Sequence, residues 1–167
     1  MPRVEFDIAT PLSPERVLSG LTDFSERRPE IWPAIHPSLY EVRSVGSTWA
    51  EVKEGSRLPG MTVWAIERYD WSEPDTVTWK IKQSNLFAPG GRVSAQVRPL
   101  PSGGSKIHVT WNRTGVGLKG RILVGTIKLS GGKPVADSIK QGLRKMAEVD
   151  PRMRPGRDHM YHITELR

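Results

Sequence analysis

The stretch "KIHVTWNRTGVGLKGRIL", residues 106–123, decides the fold, because the periodicity of the chain changes inside it. Ile107, Val109 and Trp111 alternate with Lys106, His108 and Thr110, the period-two pattern of a strand with one buried face. From Leu118 the pattern turns helical. Between the two lie Gly115, Gly117 and Gly120 at the spacing G-x-G-x-x-G. That spacing is a weak sign of a dinucleotide site, since glycines recur at strand-to-helix turns for steric reasons. A dinucleotide turn also needs a parallel βαβ unit with an acidic residue closing a second strand about 20 residues on. Around residue 140 the chain instead reads "ADSIKQGLRKM", the middle of an amphipathic helix with no strand behind it. The three glycines therefore read as a flexible joint that swings the terminal helices over a sheet.

Upstream of this joint the period-two signal dominates. "SLYEVRSV", "TWAEVKE", "MTVWAIERYD", "TVTWKIKQ" and "RVSAQVRPL" read as successive strands, parted by the turn signals "EGSRLPG", "SEPD", "APGG" and "PSGG". Short connections between consecutive strands imply antiparallel hairpins. Val77, Trp79 and Ile81, then Val93, Ala95 and Val97, then Ile107, Val109 and Trp111 share one covered face. The chain opens on another alternating strand, "RVEFDIAT". Two short helices follow, one with Ser13 as N-cap and Pro14 in its first turn, the other around "SERRPEIW". Downstream, "KPVADSIKQGLRKMAE" carries Val135, Ile139, Leu143 and Met146 as an apolar stripe. The fold class is α+β: a curved antiparallel sheet of about seven strands wrapped around a long C-terminal helix, with a cavity where sheet and helix part.

The sequence has 167 residues, a formal charge of +7 and no cysteine. One domain is expected over residues 1–148, with 149–167 as a partly ordered tail that docks through Met160, Tyr161 and Ile163. The absence of cysteine excludes disulfides, thiolate zinc sites and thiol nucleophiles. Neither an N-terminal apolar leader nor a run of about 20 apolar residues is present, so a cytoplasmic protein without a transmembrane segment is the expectation. The positive charge suits an anionic partner, yet Lys and Arg are spread along the chain and read as a solvated surface.

The wording of several segments resembles a known family. "VEFDIATPLSPERVLSGLTDF", "EIWPAIHPSLYEV", "DTVTWKIKQ" and "KIHVTWNRTGVGLKGRI" are similar to the corresponding stretches of the START-like or SRPBCC helix-grip superfamily, in its polyketide cyclase/dehydrase and lipid-transport-like group. The resemblance covers about residues 2–147. It implies a helix-grip fold with a hydrophobic pocket between sheet and terminal helix, taking a polyketide, lipid, aromatic metabolite or sterol-like molecule. Some members of the family cyclise or dehydrate their ligand and many only carry it, so the resemblance leaves enzyme and binder open.

The expected ligand-binding residues are Trp32, Trp64, Trp79, Trp111, Val97, Val109, Ile139 and Leu143. Six tryptophans against three Phe and three Tyr are suited to stacking on a planar molecule. Trp79 and Trp111 share the covered face, while the parity of Trp64 in the apolar run "MTVWAI" is ambiguous, and the faces of Trp49 and Trp71 are open. The expected catalytic pair is His36 as acid or base and Tyr40 as oxyanion donor, at the pocket mouth that the resemblance implies. Against this stands the plainer reading of His36 as a surface residue capping the turn before Pro37. His108 is expected on the polar face. Asp158, His159 and His162 are too few for a closed metal site, and no metal or cofactor is expected. A nucleophile elbow, H-E-x-x-H and a Walker loop are all lacking. Glu51, Glu54 and Glu67 read as solvated, and Leu86 and Phe87 as an exposed loop that would serve as a lid or a partner site. Nucleic-acid or anionic-surface binding, which the +7 charge suggests, is the less favoured alternative, because the best-placed tryptophans sit among Val and Ile.

Overall fold

The computed structural model describes residues 3–149. The expected tail contacts of Met160, Tyr161 and Ile163, and the Asp158, His159 and His162 group, lie outside the described residues. β1 (Val4–Thr10) is followed by α1 (Pro14–Leu21), α2 (Arg28–Ile31) and a 3₁₀ turn (Pro37–Leu39). Six strands come next: β2 (Glu41–Val45), β3 (Trp49–Leu58), β4 (Met61–Asp70), β5 (Thr76–Ser84), β6 (Arg92–Pro99) and β7 (Ser105–Asn112). Two helices, α3 (Gly117–Leu129) and α4 (Lys133–Val149), end the described chain.

All seven strands form one antiparallel sheet in the order β1-β7-β6-β5-β4-β3-β2. Five hairpins build β2 to β7 as a meander. The non-local step is the pairing of β1 with β7, from Val4 opposite Trp111 to Thr10 opposite Ser105. The chain leaving β1 must therefore cross to the far edge of the sheet, and α1 and α2 make that crossing. Ser13 caps α1 by accepting from the Arg16 amide, and Pro14 occupies its first turn.

The covered face is the one that period two predicts: Val77, Ile81, Val93, Ala95, Val97, Ile107, Val109 and Trp111 are buried in one core. Burying each branched side chain is worth about 1.5–3 kcal/mol. Two boundaries differ from the sequence reading. β3 runs on through most of "EGSRLPG", and the turn is confined to Pro59 and Gly60, where φ is +74°. β2 starts only at Glu41, because residues 37–39 curl into the 3₁₀ turn, and all five of its residues are exposed, as suits an edge strand.

The joint after β7 is clasped, not loose. The Val116 amide donates to Leu86 O at 2.9 Å and the Ala88 amide to Thr114 O at 2.8 Å, holding the β5–β6 loop against the start of α3. A Cβ on Gly120 would stand 2.3 Å from Leu86 O, and one on Gly115 would stand 2.2 Å from Gly120 O. Backbones meet there because no side chain intervenes. Leu86 and Phe87 are consequently buried, which corrects their reading as an exposed loop. α4 is held in the same way: a Cβ on Gly142 would lie 2.0 Å from the ring of Trp32, whose indole N–H donates to Gly20 O at 3.0 Å.

Candidate functional site

Between the β3–β7 part of the sheet and helices α2 to α4 lies a cavity of about 340 Å³. Alternation along β4 turns Val63, Ala65, Glu67 and Tyr69 into it, and β5, β6 and β7 add Trp79, Val93 and Trp111. Leu123 and Ile127, four residues apart on one face of α3, form part of the opposite wall with Val135, Ser138 and Ile139 of α4. Ala65 leaves space because its side chain is small, whereas at Gly55 the missing side chain lets Leu39 and the Val63 carbonyl close in. The opening is marked by Leu58 and Pro134, which line the cavity and are exposed.

Five polar side chains cross this apolar space in a continuous array. Arg28 Nε donates to Glu54 Oε1 at 2.5 Å. Tyr69 Oη donates to Glu54 Oε2 at 2.9 Å and lies 3.4 Å from Glu67 Oε2. Glu67 Oε1 accepts from the Arg113 guanidinium. Arg28 and Glu67, 3% and 4% exposed, are among the most buried charged residues. Arg28 is anchored further by donating to Leu21 O and Asp23 O, and its guanidinium lies 4.4 Å from the centroid of Phe24. Two guanidinium groups oppose two carboxylates, which is how buried charge is tolerated. These positions correct the reading of Glu54 and Glu67 as solvated. Glu51 faces the other side of the sheet, half-buried and paired with Lys82 at 2.7 Å.

Burial pushes the Glu67 carboxyl above its ordinary value and nearby Glu54 adds repulsion, while Arg113 only partly opposes them. Burial also raises Tyr69, with both carboxylates adding to the effect, so its hydroxyl stays a neutral donor. For Arg28 burial alone would favour deprotonation, but Glu54 and Tyr69 outweigh it and keep the guanidinium charged. The site thus offers two guanidinium groups, a neutral phenol and a carboxyl of raised proton affinity. Arg113 contributes one more feature: its Nε is buried without a hydrogen-bond partner, although the residue lines the cavity. A buried donor in that state favours any ligand that brings an acceptor.

Trp32, Trp64, Trp79, Trp111 and Ile139 line the cavity. Val97, Val109 and Leu143 are buried in the core and do not line it. Trp79 stacks on Tyr69 at 5.3 Å, Phe24 meets Tyr69 edge-on at 4.9 Å, and Trp71 stacks on Phe24 at 5.7 Å. Trp71 thus belongs to the inner aromatic row. Trp49 lies on the other face under Arg68, and Lys53 sits 4.8 Å from the ring of Trp64. His36 and Tyr40 are not among the residues lining the cavity. His36 Nδ1 accepts from the Ser38 amide at 3.2 Å and caps the 3₁₀ turn. Tyr40 Oη donates to Ser25 O, and burial pushes its pKa up to about 12. Among the described residues no group of three His, Asp or Glu is placed to hold a metal.

The sequence reading missed the array because its ion pairs join residues 26 and 46 positions apart. A local signal did exist: Glu67 and Tyr69 have the parity of Val63 and Ala65, so whichever face takes Tyr69 also takes Glu67.

Comparison with known proteins agrees with this architecture. The family model described as polyketide cyclase/dehydrase and lipid transport matches residues 1–149. Among curated proteins none matches the sequence. Solved structures do. The Zhui aromatase/cyclase from Streptomyces sp. R1128 superposes with a TM-score of 0.73 at 13% identity, covering 93% of this chain and 98% of that one. TTHA0849 from Thermus thermophilus gives 0.72 at 14% identity, over 89% and 99% of the two chains. A START superfamily protein from Mycobacterium smegmatis gives 0.65 at 14% identity, over 86% and 98%. At such identities the likeness is one of fold.

Proposed function

The chain belongs to the polyketide cyclase/dehydrase and lipid transport family, and from that premise we propose that its cavity binds a small molecule with a planar or hydrophobic body and one hydrogen-bond-accepting oxygen. The observation that carries this reading is the polar array inside an otherwise apolar cavity, with Arg113 Nε still unpartnered. Trp79 and Trp111 suit the body of such a molecule, and Arg113 suits its carbonyl, carboxylate or phenolate oxygen. A volume of about 340 Å³ falls at the lower end of the range for small-ligand sites, roughly 300–1,000 Å³. A compact ligand of two or three fused rings, or a short acyl chain, fits that space better than a long lipid.

One observation favours chemistry as a second reading. A carboxyl of raised proton affinity, beside a neutral phenol and a guanidinium, is suited to taking the α-proton of a β-hydroxy ketone and passing it to the hydroxyl, which leaves as water, while the guanidinium holds the enolate oxygen. In this reading the roles first given to His36 and Tyr40 pass to Glu67 and Tyr69, which line the cavity. The deciding experiment is native mass spectrometry of the purified protein, followed by incubation with an aromatic poly-β-ketone analogue. A bound small molecule that Arg113→Met releases supports the binding reading, and turnover lost in Glu67→Gln supports the chemical one. A protein that neither carries nor takes up any such molecule contradicts both.

A further inference from the structure

α3 is apolar on two opposite faces. Leu123, Val124 and Ile127 turn inward, yet Leu118, Ile122 and Leu129 are 76%, 57% and 93% exposed. At 100° per residue these three fall within about 40° of one another, so they form a single outward stripe. An apolar stripe of this size is ordinarily covered, and this one is not. Cations flank the stripe: Arg121 and Lys128 on one side and Lys119 on the other, none of them ion-paired among the described residues. No Asp or Glu stands anywhere between Asp75 and Asp137, so nothing in this part of the chain offsets them.

We propose that the outer face of α3 docks on an anionic lipid surface, with Leu118, Ile122 and Leu129 entering the acyl boundary and Lys119, Arg121 and Lys128 meeting the phosphates. An apolar stripe bordered by cations, without carboxylates, is the pattern of a helix lying in a membrane interface. Charge argues against a second copy of the chain as the occupant, because a two-fold pairing of this face would bring like charges together. The inner face of the same helix supplies Leu123 and Ile127 to the cavity wall, and Leu58, 38% exposed, borders the opening. Docking would thus bring the cavity close to the lipid, where apolar molecules dissolve. The docking itself stands on α3 alone; only the passage of a ligand from lipid to cavity rests on the function proposed above. Among the described residues no helix is long and apolar enough to cross a membrane, so the contact is peripheral.

The test is co-sedimentation of the full chain with vesicles of phosphatidylcholine alone and of phosphatidylcholine mixed with phosphatidylglycerol. Binding to the mixed vesicles that weakens with salt is expected. The triple variant Leu118→Ser, Ile122→Ser, Leu129→Ser changes only exposed positions and is expected to partition about a hundredfold more weakly. The variant Lys119→Glu, Arg121→Glu, Lys128→Glu is expected to lose the preference for anionic vesicles. Failure of the wild type to sediment, or equal binding by the serine variant, overturns the proposal. So does a dimer in sedimentation velocity that the serine variant dissolves. Uptake of a planar fluorophore without vesicles is read in parallel: it is expected to be unchanged in the serine variant, and its absence would contradict the cavity reading while leaving the docking result to stand.

Discussion

The inner face of the sheet has two halves of different character. On β6 and β7 the inward residues Val93, Ala95, Val97, Ile107, Val109 and Trp111 are apolar and at most 2% exposed, and the polar Ser105 at the start of β7 is satisfied by donating to Leu12 O. On β3 and β4 the same alternation delivers Glu54, Glu67 and Tyr69, set beside the small Ala65, around a cavity. One half is packed to stabilise the fold. The other forgoes packing and carries two buried ion pairs at a cost in desolvation, which is reasonable only where the space has a use.

Breaking the array should give the largest effect. Arg28→Met leaves Glu54 half-buried without its cation, and the expected loss in chemical denaturation is about 3–5 kcal/mol, the usual range for removing one partner of a buried pair. A matched pair of substitutions tests the two halves directly. Ala95→Leu forces a larger side chain into the packed half and should cost about 1–3 kcal/mol. Ala65→Leu adds the same atoms where the cavity receives them, and its cost should stay under about 1 kcal/mol. Equal costs at the two positions would erase the distinction.

A smaller effect follows from protonation. Glu67 titrates above its ordinary 4.5 in the folded protein, so between that value and the raised one the folded state holds a proton that the unfolded chain has released. Its contribution is fully present below pH 4.5 and is lost as pH rises through the raised value. Denaturation midpoints across this window should fall for the wild type relative to Glu67→Gln, and parallel profiles would contradict the raised titration.

The difference between the halves also explains what the sequence made legible. β6 and β7 declare themselves because apolar and polar residues alternate strictly, and the tight turns "APGG" and "PSGG" delimit them. The helical stripe of Val135, Ile139, Leu143 and Met146 was legible for the same reason, and so was the family, whose marks are those of the fold. β3 and β4 were harder. "EVKEGSRL" mixes charges on both faces, and a Glu directed inward looks like any solvated Glu until the Arg28 and Arg113 that neutralise it are placed beside it. Those partners are brought up by the crossing of α1 and α2 and by the end of β7, which are properties of tertiary structure. His36 shows the converse: of its two readings, acid or base at the pocket mouth and cap of the turn before Pro37, its ring performs the second, and it does not line the cavity.

The most direct test of the account is a fluorescence titration of a planar anionic fluorophore such as 1-anilinonaphthalene-8-sulfonate against the wild type and Ala65→Leu. Saturable binding with quenching of tryptophan emission is expected for the wild type, and a loss of at least about tenfold in affinity, roughly 1.4 kcal/mol, for a variant that remains fully folded. Undiminished binding by folded Ala65→Leu would mean that the cavity is not where ligands go.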